Sequence, residues 1–168
     1  MNLIIRPLEI PDIETGLFEK VLKNMNKYFP SDEIRAREDS KFINNKKNGP
    51  RHVRGLETLV TEPNGEFSTA HFLAGFEEGK ENDFEGFRGA ILVHLFKESE
   101  MMFGEYVWTP KEYRKQGISS KLFAHVIKEV ALKNGAKGMF GEVEREVDYL
   151  PPKRRTQVEE RLKRWEKM

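Results

Sequence analysis

From Leu122 onward, apolar residues recur at Leu122, Phe123, Val126, Ile127, Val130 and Ala131, a spacing of i, i+1, i+4, i+5, i+8 and i+9. That spacing lays one stripe along an α-helix and predicts a buried face. Gly135 follows as the residue expected to end the helix. The run "KGMFGEVE" after it predicts a strand. Ahead of the stripe stand "FRGAILVHLFKE" and "MMFGEYVWT", two strand-like runs joined by a polar turn at about Glu98 to Glu100. A strand, a helix and a strand in succession make one crossover after Thr109. Set on an antiparallel meander, that crossover predicts a mixed α/β fold, α+β in the stricter sense, with a mostly antiparallel sheet flanked by helices.

The remaining segments fill out the order. "LIIRPLE" predicts a first strand, and Pro11-Asp12 opens a helix with Asp12 as N-cap. Ile13, Leu17, Phe18, Val21, Leu22 and Met25 give that helix one apolar stripe. Pro30 breaks it, and Ser31 or Asp32 caps a more polar helix to about Ile43, followed by the loop "NNKKNGP". "GLETLVTE" predicts a strand that turns at Asn64-Gly65 and returns as "STAHFLAGFEE". An acidic loop from Glu77 to Glu85 follows. Pro151-Pro152 opens a last helix with Val158, Leu162 and Trp165 on one side. The 168 residues read as a single domain over 1–168.

Composition removes several classes of function. The chain has no cysteine, which excludes disulfides, thiolate zinc sites and a cysteine nucleophile, and fits a cytoplasmic protein. A formal net charge of +1 argues against a dedicated nucleic-acid binder. The seven basic and three acidic residues from Pro151 to Lys167 read as a solvated helix with internal ion pairs. Only a short apolar patch precedes Arg6 and Pro7, so neither a signal peptide nor a transit sequence is predicted. No apolar run approaches the ~18 residues of a membrane span. His52, His71, His94 and His125 lack metal-ligand spacing, and no metal site is predicted. His94, inside an apolar strand, reads as a satisfied core histidine.

The turn "YRKQGISSKLF", Tyr113 to Phe123, joins strand to helix. The first turn of a helix carries backbone N–H groups without intrahelical partners, and the helix dipole adds positive charge there. Gly117 permits a tight turn and a close ligand approach. Arg114 and Lys115 bring full positive charge, and Ser119 or Ser120 caps or donates. Such a turn cradles a pyrophosphate. An ordinary polar loop ending in a serine N-cap has the same composition. Neither the dinucleotide-binding nor the P-loop glycine spacing is present.

The stretch from Glu105 to Glu144 resembles the core of the GNAT acetyltransferase superfamily. Arg114, Gln116, Gly117, Ile118, Ser119 and Leu122 match the family's Q/R-x-x-G-x-G/A portion, with Ser119 where glycine or alanine is commoner. Pro110 sits one residue early, and Thr109 takes the usual valine place. The resemblance implies acetyl-CoA as co-substrate. Its pyrophosphate would lie on the turn Arg114, Lys115, Gln116, Gly117, Ile118, Ser119 and Ser120. Its pantetheine arm would pair with backbone near Val107 and Thr109, as an added strand.

Acetyl transfer to an amine requires a base for the ammonium proton and a donor for the oxyanion. Glu105 is the candidate base. Period-two alternation puts it on the face of Val107 and Thr109, and it aligns with a glutamate of the family. A plain strand-edge glutamate is the alternative. Glu142 and Glu144, on the strand after the helix, are candidates to orient the acceptor across the cleft. The resemblance makes the N–H of Val107 the oxyanion donor. It also expects a tyrosine acid in the last helix, where this chain has Trp165. Tyr149 or water is left to supply that proton.

Family members continue with two further strands, so the chain is expected to end early and to leave an open edge near Met139 to Glu144. Such an edge offers itself to a second copy of the chain. The expected function is an N-acetyltransferase acting on a primary amine. The alternative is a non-catalytic acyl-CoA-binding sensor or interaction module. The acidic loop is expected either to steer cationic amines or to be an ordinary solvated turn.

Overall fold

A computed structural model describes residues 2–25, 27 and 56–141. Their elements are β1 (Leu3–Pro7), α1 (Ile10–Glu14), α2 (Leu17–Met25), α3 (Leu56–Thr61), β2 (Ser68–Glu77), β3 (Phe87–Phe96), β4 (Met101–Trp108), α4 (Ile118–His125) and β5 (Gly138–Gly141). The five strands form one sheet in the order β1-β2-β3-β4-β5. The first four are mutually antiparallel, and β5 lies parallel to β4. The crossover expected after Thr109 is therefore present, carried by α4.

Two apolar layers sandwich the sheet. On one face Phe72, Ala74, Phe76, Ala90, Leu92, Tyr106 and Trp108 pack against Leu17, Phe18, Val21 and Met25 of α2 and Leu56 and Leu59 of α3. On the other face Leu73, Ile91, Val93 and Met102 pack against Ile118, Leu122 and Val126. Trp108 Nε1 donates to Asn24 Oδ1 at 3.3 Å inside the first layer, tying α2 to the end of β4.

Several local expectations need correction. The run Leu56–Thr61 is helix, not strand. Leu56, Leu59 and Val60 fall at i, i+3 and i+4, and burying that stripe against the sheet outweighs the strand preference of Val60 and Thr61. The turn after it forms without a strand partner upstream. Gly65 N–H donates to Ser68 O at 2.9 Å, and Asn64 bridges Thr69.

The first predicted helix is two, split where Gly16 takes φ +74°. The N-cap of α1 is Glu9, and Asp12 sits three residues in. There its carboxylate accepts from Glu9 N–H at 2.8 Å, the reciprocal half of a capping box.

After His125 the helix widens into π turns over Val126–Ala131 and tightens over Leu132–Asn134, ending at Gly135 with φ +69°. A π turn advances each residue by less than an α turn. The apolar stripe therefore rotates, and Ile127 is 45% exposed instead of buried. The helix from Ser31 to Ile43, the loop that follows it and the last helix lie outside the described residues.

Candidate functional site

The turn between β4 and α4 is built from two left-handed residues, Lys115 at φ +65° and Gly117 at φ +73°. A β-carbon placed on Gly117 would meet nothing within 4 Å, so its backbone faces open space. Gly117 is the N-cap of α4, and neither Ser119 nor Ser120 caps the helix. The first intrahelical bond runs from Lys121 N–H to Gly117 O at 3.0 Å. The amides of Ile118, Ser119 and Ser120 thus precede the helical ladder. Arg114, Lys115, Gln116, Gly117 and Ser120 are exposed, and Ile118 is buried. Between Lys111 and Lys121 four basic side chains face a single glutamate. The positive end of the helix dipole and a bare backbone therefore meet at one open point in a basic segment.

Ser119 and Thr109 have a structural task. Their hydroxyls hydrogen-bond at 3.0 Å, and Arg114 Nε donates to Thr109 O at 3.2 Å. Together they lock the end of β4 to the start of α4. Gln116 Nε2 donates to Glu112 O at 3.4 Å and closes the turn on itself.

Beneath the turn lies a residue that sequence reasoning passed over. Arg88 is the extra residue of a bulge in β3, since Gly89 pairs with Gly75 and Phe87 with Phe76. It is 5% exposed. Its guanidinium forms an ion pair with Glu77, donates to Glu85 O at 2.7 Å and Phe87 O at 3.0 Å, and covers the Tyr113 ring at 4.3 Å. It anchors the turn from below through Tyr113. An arginine inside the apolar run "FRGAILV" was its signal in the sequence.

The second constellation centres on Glu105. Val93 pairs with Gly104 and Leu92 with Tyr106, so Glu105 is the extra residue of a bulge in β4. A bulge breaks the period-two alternation. Tyr106 and Trp108 point into the layer beneath α2, and Val107 packs toward α4. Glu105 reaches His94, which shares the face of Ala90 and Leu92 by strand alternation. Glu105 therefore lies on the face opposite Val107 and Thr109, a correction to the alternation argument. Its Oε2 is 2.6 Å from His94 Nε2, with both side chains about one-tenth exposed, 11% and 12%. His94 is satisfied, as expected, but by the candidate base itself.

Beside this pair Phe103 faces His94 in the β3–β4 register and Phe140 in the β4–β5 register. Phe96 and Phe140 stack at 6.3 Å between centroids, and Phe103 lies 5.3 Å from Phe140. Through the sheet, His71 has a buried Nε2 with no hydrogen-bond partner. Burial is the larger cause that lowers its pKa, and the electrostatic influence of the nearby His94 ring acts in the same direction.

The structure brings Val107, Thr109 and the Arg114–Ser120 turn to one end of β4, with Glu105 midway along the strand. The pairing of β5 covers Met101–Gly104, while β4 runs on to Trp108. Glu142, Glu144, Tyr149 and Trp165 lie outside the described residues.

No protein-family model and no curated protein matches the sequence. Solved structures do match the fold. An aminoglycoside acetyltransferase from an uncultured soil metagenomic sample is 19% identical, with a TM-score of 0.53 over 88% of this chain and 84% of its own. A ribosomal-protein-alanine N-acetyltransferase from Brucella melitensis biovar Abortus 2308 is 14% identical, with a TM-score of 0.52 over 96% of this chain and 90% of its own. The PaiA N-acetyltransferase from Thermoplasma acidophilum, in complex with coenzyme A, is 17% identical, with a TM-score of 0.50 over 81% of this chain and 76% of its own. The chain has the GNAT fold. Arg114, Gln116 and Gly117 lie on the turn between β4 and α4. The names of the neighbours point to different acceptors, an aminoglycoside for one and a ribosomal-protein alanine for another. Among the described residues no helix is long and apolar enough to cross a membrane.

Proposed function

We propose that the chain is an N-acetyltransferase that moves an acetyl group from acetyl-CoA to a primary amine. The observation that carries this reading is the open, left-handed Gly117 at the start of α4, in a segment with four basic residues from Lys111 to Lys121. The bare backbone and the first-turn amides of Ile118, Ser119 and Ser120 fit a diphosphate. The neighbours' activity and the coenzyme A complex of one of them support the choice of acetyl-CoA. Backbone near Val107 and Thr109 would hold the pantetheine arm. When bound, acetyl-CoA supplies the activated thioester.

The chain's own part is deprotonation and orientation. Glu105 takes a proton from the acceptor ammonium, directly or through one water. An N–H bond breaks and an O–H bond forms on the carboxylate. The freed amine nitrogen forms a C–N bond with the acetyl carbon as the C–S bond breaks. The bonding pair leaves on the coenzyme A sulfur as thiolate, and the second proton shed by the new amide nitrogen ends on that sulfur.

Isothermal titration with coenzyme A and thiol release over an amine panel test this reading. Gly117→Glu sets a carboxylate in the cradle and is expected to weaken coenzyme A binding by at least about tenfold, from like-charge repulsion and lost approach. Glu105→Gln is expected to leave binding intact and to lower kcat by about 10²- to 10⁴-fold. Unchanged binding by Gly117→Glu would remove the diphosphate site from this turn.

A further inference from the structure

The β4 bulge does more than displace Glu105. It turns the carboxylate toward β3, where His94 Nε2 stands 2.6 Å from Oε2. A carboxylate oxygen and an unprotonated ring nitrogen are both acceptors and repel at that distance, so one proton lies between them. Both side chains are nearly enclosed, at 12% and 11% exposure, so the bond is shielded from water and is stronger for it. Short N–H···O⁻ bonds of this kind are the charge-assisted class.

We propose that His94 is a positioning residue for Glu105: its Nε2–H holds Oε2 and fixes the plane in which the carboxylate meets the amine. The proposal rests on the reading of Glu105 as the base. His94 stays on a rigid central strand, paired with Ala70 on one side and Phe103 on the other, so its ring is set by the sheet and not by a loop. A base held by a strand neighbour keeps its geometry before substrate arrives, which removes a reorganisation step from the barrier. During deprotonation the acceptor's proton goes to the Glu105 carboxylate, and the imidazole keeps the Nε2 proton. No further reactant is needed.

The test uses the full chain and three variants, His94→Leu, His94→Gln and Glu105→Gln. Thiol release from acetyl-CoA is followed with spermidine, kanamycin and an alanyl peptide as amines. His94→Leu is expected to lower kcat about tenfold to a hundredfold with the KM for acetyl-CoA within about twofold. His94→Gln keeps a donor at the same reach and is expected to recover most of that loss. In the Glu105→Gln background, His94→Leu adds little, because the two act as one unit. The imidazole ¹H–¹⁵N spectrum needs no acceptor: the Nε2–H form of His94 is expected in the wild type, with its proton signal shifted in Glu105→Gln. Wild-type kcat in His94→Leu alongside a depressed Glu105→Gln would overturn the role of His94 alone. An Nδ1–H form with free Nε2 would overturn it too. Undiminished turnover by Glu105→Gln would instead sink the base assignment beneath it.

Discussion

Two glycines near the cradle fail in different ways when given a side chain. A β-carbon on Gly89 would stand 2.7 Å from Trp108 O, 3.2 Å from Ile118 Cγ2 and 3.2 Å from Thr109 Oγ1. Those atoms belong to β4, to the start of α4 and to the segment between them, so an added methyl wedges the strand away from the helix. Gly117 meets no neighbour and only has to keep φ +73°. Gly89→Ala is therefore expected to cost about 1–3 kcal/mol by overpacking and to weaken coenzyme A binding with it. Gly117→Ala is expected to cost about 1 kcal/mol of left-handed backbone strain. Urea denaturation of the two variants side by side checks the order. A Gly89→Ala variant more stable than Gly117→Ala would contradict the close approach of β3 to the turn.

At the scale of elements, α1 is held to the sheet by one bidentate pair. Arg6 Nη1 donates to Asp12 Oδ2 and Nη2 to Oδ1, both at 2.7 Å, and Nη2 also donates to Glu81 O at 2.8 Å. One guanidinium thus clasps β1, α1 and the acidic loop. Burial raises the Asp12 pKa, but the hydrogen bonds from Arg6 and from Glu9 N–H, with the Arg6 charge, outweigh it and hold the carboxyl below its ordinary value. A carboxylate depressed in the folded state contributes stability that is present above its unfolded pKa and is lost as the pH falls through its folded pKa. Asp12→Asn is expected to cost about 2 kcal/mol near neutral pH. The gap from wild type is expected to narrow as the pH drops below about 4. Thermal melts from pH 7 to pH 3 measure it, and a gap independent of pH would mean that the ion pair is not its source. The acidic loop held in this clasp has a structural task for Arg6 as well as any steering role for a cationic amine.

For the whole molecule, the proposed ligand binds the folded chain at a junction of β3, β4 and α4 that unfolding destroys. Coenzyme A at a hundred times its Kd would add about 2.7 kcal/mol to stability. For a chain of 168 residues that is a rise in Tm of roughly 5–10 °C. Gly117→Glu should abolish the rise, and Glu105→Gln should keep it. A Tm unmoved in the wild type would take coenzyme A out of the reading while leaving the fold as it stands.

The crossover, the two long strands and the Gly135 stop were legible in the chain, because hydrophobic period and helix-ending glycine act over a few neighbouring residues. So was the glycine turn proposed to hold a diphosphate, since Arg114, Gln116 and Gly117 sit within one short stretch. Three things were not. The stretch from Leu56 to Thr61 fits a strand or a short helix, and only burial of Leu56 and Leu59 against the sheet decides between them. The Arg88–Tyr113 support joins residues 25 positions apart across two strands and a turn. The face of Glu105 depends on a bulge, and a bulge is a mismatch between two strands that neither strand carries alone. Local periodicity thus determined the crossover helix and the long strands that flank it. The pairing of β3 with β4 decided which way the carboxylate points and gave it a histidine, because register exists only between strands.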